Sequence, residues 1–134
     1  MSPDGRWLAY QSNESTRYEV YVRDLQGTGG RWQVSNGGGE EPHWSANGRE
    51  LYFRSETRLL VSSVELQPTF RPGTPSVLFQ GIYNMRSDSG LSFDVDPKSG
   101  RFVMIRRAAS GANQARVRLV LNWFQELKQL VRVR

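Results

Sequence analysis

The chain has 134 residues, of which 37% are hydrophobic and 11% aromatic, and it carries a net charge of +5. This composition predicts one small domain with a packed core, and the absence of cysteine excludes disulfides, thiolate metal sites and a cysteine nucleophile. No apolar run approaches the roughly 18 residues that a membrane-spanning helix needs, and no secretory signal is visible ahead of the first turn motif. Abundant glycine and a scarcity of helix-favouring runs indicate an all-β protein.

The positive charge is concentrated near the end of the chain. Residues 1–100 carry ten Lys/Arg and twelve Asp/Glu, whereas residues 101–134 carry eight Lys/Arg and one Glu. One interpretation is a basic surface at 101–134 that meets nucleic acid, anionic lipid or an acidic partner. The other, which we favour, is solvated arginines on outer strands and a frayed tail, without a strong nucleic-acid or membrane signal.

A turn motif occurs three times, each time before a short apolar run. In the first copy Pro3 presets the backbone for a type I turn, Asp4 can bond nearby backbone, and Gly5 takes the left-handed conformation. The turn glycines are 43 and then 52 residues apart, and a turn-plus-strand unit at such a period predicts β-propeller blades or a similar β array. The copies are Ser2-Pro3-Asp4-Gly5-Arg6, Ser45-Ala46-Asn47-Gly48-Arg49 and Asp96-Pro97-Lys98-Ser99-Gly100-Arg101.

The first repeat, residues 1–36, is predicted to contain strands at 7–12, 18–25 and 31–35. The second of these strands alternates with a period of two, which predicts a half-buried strand. Its two faces would carry Tyr18, Val20 and Val22 on one side and Glu19, Tyr21 and Arg23 on the other.

The second repeat, residues 37–81, is predicted to contain four strands, at 41–44, 51–54, 59–66 and 76–80. Pro42 is tolerated where a strand begins, because its missing N–H need not be paired there. A crossover between the third and fourth strands is marked by Pro68, Pro72, Gly73 and Pro75.

The third repeat, residues 82–121, is predicted to contain strands at 91–95, 101–106 and 116–121. Beyond it, Trp123, Leu127 and Leu130 recur at helical spacing and Asn122 is a suitable N-cap. These residues predict a short amphipathic helix over 122–131 that packs back on the last repeat.

Together these elements predict an all-β fold: a partial β-propeller of just under three four-stranded antiparallel blades, with a short C-terminal α-helix. The first blade lacks the strand that should precede Ser2, and a propeller has four to eight blades. Open blade faces and strand edges favour association. We therefore expect the remainder of the ring in a longer parent chain or, as the alternative, in a second copy.

Three segments resemble TolB-like, WD40-like (PD40) propeller repeats. Residues 2–10 resemble the repeat itself, and residues 37–45 resemble the join between blades, a glycine-rich loop followed by a short strand. The segment Val120-Leu121-Asn122-Trp123-Phe124-Gln125-Glu126-Leu127 is similar to the end of propellers fused to bacterial Ser/Thr protein kinases or winged-helix regulators.

The resemblance implies a C-terminal sensor or protein-interaction module whose kinase or DNA-binding part lies upstream. It also favours a periplasmic or other extracytoplasmic location. The chain contains no glycine-rich phosphate loop with a following strand lysine, no His-Arg-Asp loop and no Asp-Phe-Gly, so we expect no phosphotransfer by this chain.

Two glycine-rich segments, 27–30 and 37–39, could be imagined as phosphate cradles. Neither precedes a helix within a βαβ unit, so we interpret both as turns. His43 is the only histidine and could be a base or metal ligand, but no second strong ligand lies at a suitable spacing, so a structural role is favoured.

The carboxylates Asp4, Asp94 and Asp96 come nearest to a cluster. Asp94 and Asp96 lie two residues apart at a strand end and could share a cation such as calcium with loop oxygens. Bonding to turn backbone is the favoured interpretation.

The large aromatic residues are expected in the core or between blades, although one could stack on a sugar or peptide: Trp7, Trp32, Trp44, Trp123 and Phe53.

The predicted function is therefore a non-catalytic scaffold, without cofactor or metal, that binds a protein, a peptide or a small ligand. The candidate ligand-facing turns are those around Asp4, Asn47 and Asp96, which should fall at equivalent places on successive blades. One alternative is the propeller portion of a prolyl-peptidase-like hydrolase whose catalytic domain is absent, since no Gly-x-Ser-x-Gly elbow exists here. The other is the basic nucleic-acid surface at 101–134.

Overall fold

A computed structural model describes residues 1–27, 29–83 and 92–104, and this part of the chain is all-β with antiparallel pairing throughout. No helix occurs among these residues, so none there could cross a membrane. The predicted strand at 116–121 and the predicted helix at 122–131 lie outside the described residues. The chain divides into two compact units, Met1–Gly81 and Ile82–Arg134, and each is described by itself.

The first sheet contains β1 (Trp7–Ser12), β2 (Glu19–Asp24) and β3 (Arg31–Gln33) in that order. It confirms the three strands expected in residues 1–36, with β2 and β3 shorter than predicted. Asp24 ends β2 because its Oδ1 accepts hydrogen bonds from the backbone N–H groups of Gln26 and Gly27, each at 3.0 Å, which turns the chain.

The second sheet begins with β4 (Glu40–Trp44), β5 (Glu50–Ser55) and β6 (Arg58–Glu65), joined in sequence order. Two further strands, β7 (Arg71–Pro72) and β8 (Ser76–Gln80), pair with successive parts of β6. The run β4–β5–β6–β8 confirms the four strands expected in residues 37–81. The predicted crossover additionally contains β7, in which Pro72 lies opposite Val64.

The second compact unit contains, among its described residues, the antiparallel pair β9 (Phe93–Val95) and β10 (Phe102–Met104). The buried side chains of these strands alternate with exposed ones, and the rings of Phe93 and Phe102 lie 6.4 Å apart. This pair confirms the predicted strands at 91–95 and 101–106 within the described residues.

The core of the first compact unit lies between its two sheets. Trp7, Val20 and Val22 of the first sheet pack in one cluster with apolar side chains of the second, including Leu51 and Phe53. β-Branched and aromatic residues suit a pleated, covered surface. Burial of each such side chain contributes about 1.5–3 kcal/mol, so this cluster is the main source of cohesion between the sheets.

Phe70, which directly precedes β7, lies at the centre of that core and is 1% exposed. Its ring centroid is 5.4 Å from that of Trp7, 5.6 Å from that of Trp32 and 6.4 Å from that of Trp44. The segment between β6 and β8 therefore joins the two sheets through an aromatic side chain as well as passing from strand to strand.

The prediction that β2 is half-buried is wrong, because both of its faces are covered except at Arg23. Val20 and Val22 face the core, and on the other side Glu19 and Tyr21 are 2% and 3% exposed. Residues distant in sequence cover that second side. The Tyr10 ring stacks on Tyr21 at 5.9 Å, and hydrogen-bonding groups enclose Glu19.

Candidate binding surface

The first copy of the turn motif is closed by a compact set of hydrogen bonds. The Ser2 hydroxyl donates to Asp4 Oδ1 at 2.5 Å and accepts from the backbone N–H of Trp7 at 2.9 Å. Asp4 Oδ1 also accepts from the N–H of Arg6 at 3.1 Å, and Gly5 has a φ of 72°. The Asp4 carboxylate is thus engaged in shaping the turn.

The second copy repeats these bonds position by position. The Ser45 hydroxyl donates to Asn47 Oδ1 at 2.8 Å and accepts from the N–H of Glu50 at 3.0 Å. Asn47 Oδ1 accepts from the N–H of Arg49 at 2.9 Å, and Gly48 has a φ of 69°. An amide replaces the carboxylate here because the turn uses only one side-chain oxygen.

The third copy differs from the other two. The N–H of Asp96 donates to the carbonyl of Arg101 at 2.8 Å, the bond that Ser2 makes with Trp7 in the first copy. Asp96 therefore stands in its turn where Ser2 and Ser45 stand in theirs, and the positions of Asp4 and Asn47 are taken by Lys98. The glycine of this turn comes one position later, because the N–H of Gly100 donates to a carbonyl four residues back, whereas those of Gly5 and Gly48 donate to carbonyls three residues back.

The three predicted site residues share one local role. The Asp96 carboxylate accepts hydrogen bonds from the N–H of Lys98 at 3.1 Å and from the Ser99 hydroxyl. The bond from Ser99 lowers the pKa of Asp96, and that from Ser2 lowers the pKa of Asp4. These side chains stabilise their own turns, as the favoured interpretation of the carboxylates predicts.

Replacing Ser45 by alanine tests the repeated turn. The change removes the hydroxyl that bridges Asn47 and the N–H of Glu50, so we expect the free energy of unfolding to fall by about 1–2 kcal/mol. Ser2→Ala should cost a similar amount, because the same bonds are lost there. Urea denaturation measures both, with the exposed Thr74→Ala as the matched control. No difference between Ser45→Ala and Thr74→Ala would contradict the role of the hydroxyl.

The glycine-rich segment at 37–39 forms a cap on an internal carboxylate. The N–H groups of Gly37 and Gly38 donate to Glu19 Oε1 at 3.1 and 3.0 Å, and Arg17 Nε donates to the same oxygen at 2.8 Å. The Ser35 hydroxyl donates to Glu19 Oε2. Gly37 and Gly38 have φ values of 111° and 101°, which favour glycine. The segment is a bend between β3 and β4, and its N–H groups bind the internal carboxylate of Glu19.

A second buried ionic group lies on β4 and β5. The guanidinium of Arg54, 8% exposed as a residue, pairs with Glu40 and with Glu41 at 3.2 Å. The backbone of Glu41 has a φ of 54° beside a register shift, and its N–H donates to Gln11 Oε1 at 2.7 Å. The bond from Glu41 to Gln11 joins this strand to the first sheet. The ionic group was not identified from the sequence, because its partners are 13 and 14 residues apart.

His43 lies opposite Tyr52 in the β4–β5 register. The pKa of the Tyr52 hydroxyl is raised, mainly by burial. The hydroxyl also donates a hydrogen bond to Glu50 Oε2 at 2.7 Å, and this bond raises the pKa further. Within residues 1–27, 29–83 and 92–104, no group of three or more His, Cys, Asp or Glu side chains could hold a metal ion.

The outer face of the first sheet, opposite the core, is the candidate binding surface. Register places Leu8 with Arg23 and Arg31 in one cross-strand row, and Tyr10 with Tyr21 in the next. The Arg31 guanidinium lies 4.8 Å from the Tyr21 ring centroid. We call this set, completed by Leu25 beyond the end of β2, the outer face. It combines apolar, aromatic and cationic groups.

No protein-family model matches this chain, and no curated protein matches it. The resemblance to TolB-like propeller repeats therefore remains a prediction from the turn and strand pattern.

Proposed function

We propose that this chain is a non-catalytic binding scaffold of the β-propeller type, which recognises a protein or peptide. Two observations support the architecture: the turns at Ser2 and Ser45 carry the same hydrogen bonds, and the sheets that follow them pack together through an aromatic core. A repeated sheet stack of this kind suits a scaffold that presents surfaces.

The binding role rests on the outer face of the first sheet. There, Leu25 is 48% exposed and the Arg31 side chain is 48% exposed, beside the half-buried Tyr10 ring, which stacks on the buried Tyr21. Aromatic residues and arginine are the side chains that interfaces favour over the rest of a protein surface. Rigid aromatic groups with an adjacent guanidinium support recognition of a polypeptide.

Panning a displayed random-peptide library against the full chain tests this function. We expect a recurring peptide sequence that binds the folded chain in solution and protects β1 and β2 backbone amides from hydrogen exchange. The control is Phe70→Asp, which places a charge in the core and should unfold the scaffold. Enrichment of the same peptides on that variant, or of none on the folded chain, would contradict a peptide-binding scaffold.

A further inference from the structure

The two sheets of the first compact unit can be aligned through one backbone bond. The N–H of Leu25 donates to the carbonyl of Arg6 at 2.9 Å, and the N–H of Val64 donates to the carbonyl of Arg49 at 2.9 Å. Because Arg6 and Arg49 are equivalent in the repeated turn, Leu25 is the counterpart of Val64.

Arg6 and Arg49 are 43 residues apart, and the same separation on β1 and β5 pairs Leu8 with Leu51 and Tyr10 with Phe53. In the second sheet these positions are covered, with Leu51 0% and Phe53 1% exposed, because they pack against the first sheet. Val64 is likewise only 7% exposed, whereas its counterpart Leu25 is 48% exposed. The outer face therefore leaves Leu25 exposed, and Leu8 and Tyr10 half-buried, at positions that pack against another sheet in the next repeat.

The two arginine side chains of the outer face indicate the charge of the partner that would cover it. Arg23 and Arg31 are directly opposite in the β2–β3 register, and like charges in that arrangement destabilise a sheet. Arg31 pairs with Glu14 at 2.5 Å, but Arg23 makes no ion pair with any residue that the structure describes. The face thus has an unbalanced guanidinium next to apolar side chains, and guanidinium groups bind carboxylates with a matching geometry.

We propose that the outer face binds an acidic polypeptide segment in which carboxylates alternate with apolar side chains. The carboxylates pair with Arg23 and Arg31, and the apolar groups cover Leu8, Tyr10 and Leu25. The same face of a second copy would set arginine against arginine, which opposes self-association through it. The proposal rests on the binding function proposed above and adds the chemistry of the partner.

A designed probe tests the partner's charge. The probe is a fluorescein-labelled octapeptide, Glu-Ser-Val-Ser-Glu-Ser-Val-Ser, in which an extended conformation puts Glu and Val on one face. Fluorescence anisotropy with the full chain should show saturable binding that weakens with added salt. The same peptide with Gln in place of Glu should bind roughly tenfold more weakly, and the Lys version should not bind.

Matched variants assign the site. Arg23→Gln with Arg31→Gln should weaken binding of the Glu peptide roughly tenfold. Arg49→Gln with Arg71→Gln removes the same charge from exposed positions outside the face and should leave binding within about twofold. As a gain-of-function measurement, Arg23→Glu should strengthen binding of the Lys peptide. Equal losses in the two double variants, or equal affinity for the Glu and Gln peptides, would overturn the proposal.

The failures of the two proposals can be told apart. If library peptides bind the folded chain but are neutral or basic, the scaffold function stands and the acidic partner is excluded. If no peptide binds, both fail. Sedimentation of the wild-type chain as a dimer that Arg23→Gln with Arg31→Gln dissociates would replace the acidic partner with a second copy.

Discussion

Replacing Phe70 by alanine is expected to lower the free energy of unfolding by about 3–5 kcal/mol. The ring is 1% exposed and contacts Trp7, Trp32 and Trp44, so its removal leaves a cavity where the two sheets meet. Collapse of that cavity is opposed by β7, which holds the backbone next to position 70 against β6. Phe70→Leu, which retains part of the volume, should cost less than alanine.

Urea denaturation followed by tryptophan fluorescence measures this effect, because three tryptophans surround the deleted ring. Val77→Ala, at a residue that is 50% exposed, is the control and should change stability by less than about 0.5 kcal/mol. A loss at Phe70 no greater than the loss at Val77 would mean that the sheets do not depend on the aromatic core for their association.

The turns and most strands could be predicted from the sequence because their causes are local. Gly5 and Gly48 must adopt positive φ, and serine and Asx side chains at fixed offsets supply the hydrogen bonds. The same residue types at the same offsets also predict ligand-facing turns at Asp4 and Asn47. Short polar side chains at a turn serve equally well to bind a ligand or to bond the turn, and only coordinates separate these uses.

Phe70 could not be recognised from its neighbours. It lies in a segment rich in proline and glycine that is correctly predicted as a crossover, and nothing within that segment indicates which side chain turns inward. Its partner Trp7 is more than sixty residues away in the chain. Contacts of that separation depend on how the sheets stack, which no local pattern encodes.

The outer face was only partly predictable. The period of two in β2 correctly separates Val20 and Val22 from Tyr21 and Arg23, but it gives no information about β3. The register of β3 places Arg31 beside Arg23 and over the Tyr21 ring. The cationic and aromatic character of the outer face therefore depends on how β3 pairs with β2.

Replacing Glu19 by glutamine is expected to lower the free energy of unfolding by about 3 kcal/mol at neutral pH. Glutamine keeps the size of the side chain but loses the charge that accepts from Ser35, Gly37, Gly38 and Arg17. Its amide NH₂ group also places donors against donors. The control is Glu14→Gln, at a half-exposed carboxylate paired with Arg31, where the loss should stay within the 0–1 kcal/mol typical of surface ion pairs.

The pH dependence of the same variant separates charge from packing. Burial by itself would raise the pKa of Glu19, but the hydrogen bonds from Ser35, Gly38, Gly37 and Arg17 outweigh it and the pKa lies below its ordinary value. The folded state therefore binds this proton more weakly than the unfolded state, whose glutamate titrates near about 4.3. The stabilisation is complete above that value and is lost as the pH falls through the lower pKa of the folded state. Wild-type stability should therefore fall more steeply with acid than that of Glu19→Gln, and the two should converge. Parallel profiles in urea denaturation between neutral and acidic pH would show that Glu19 acts through its shape and not its charge.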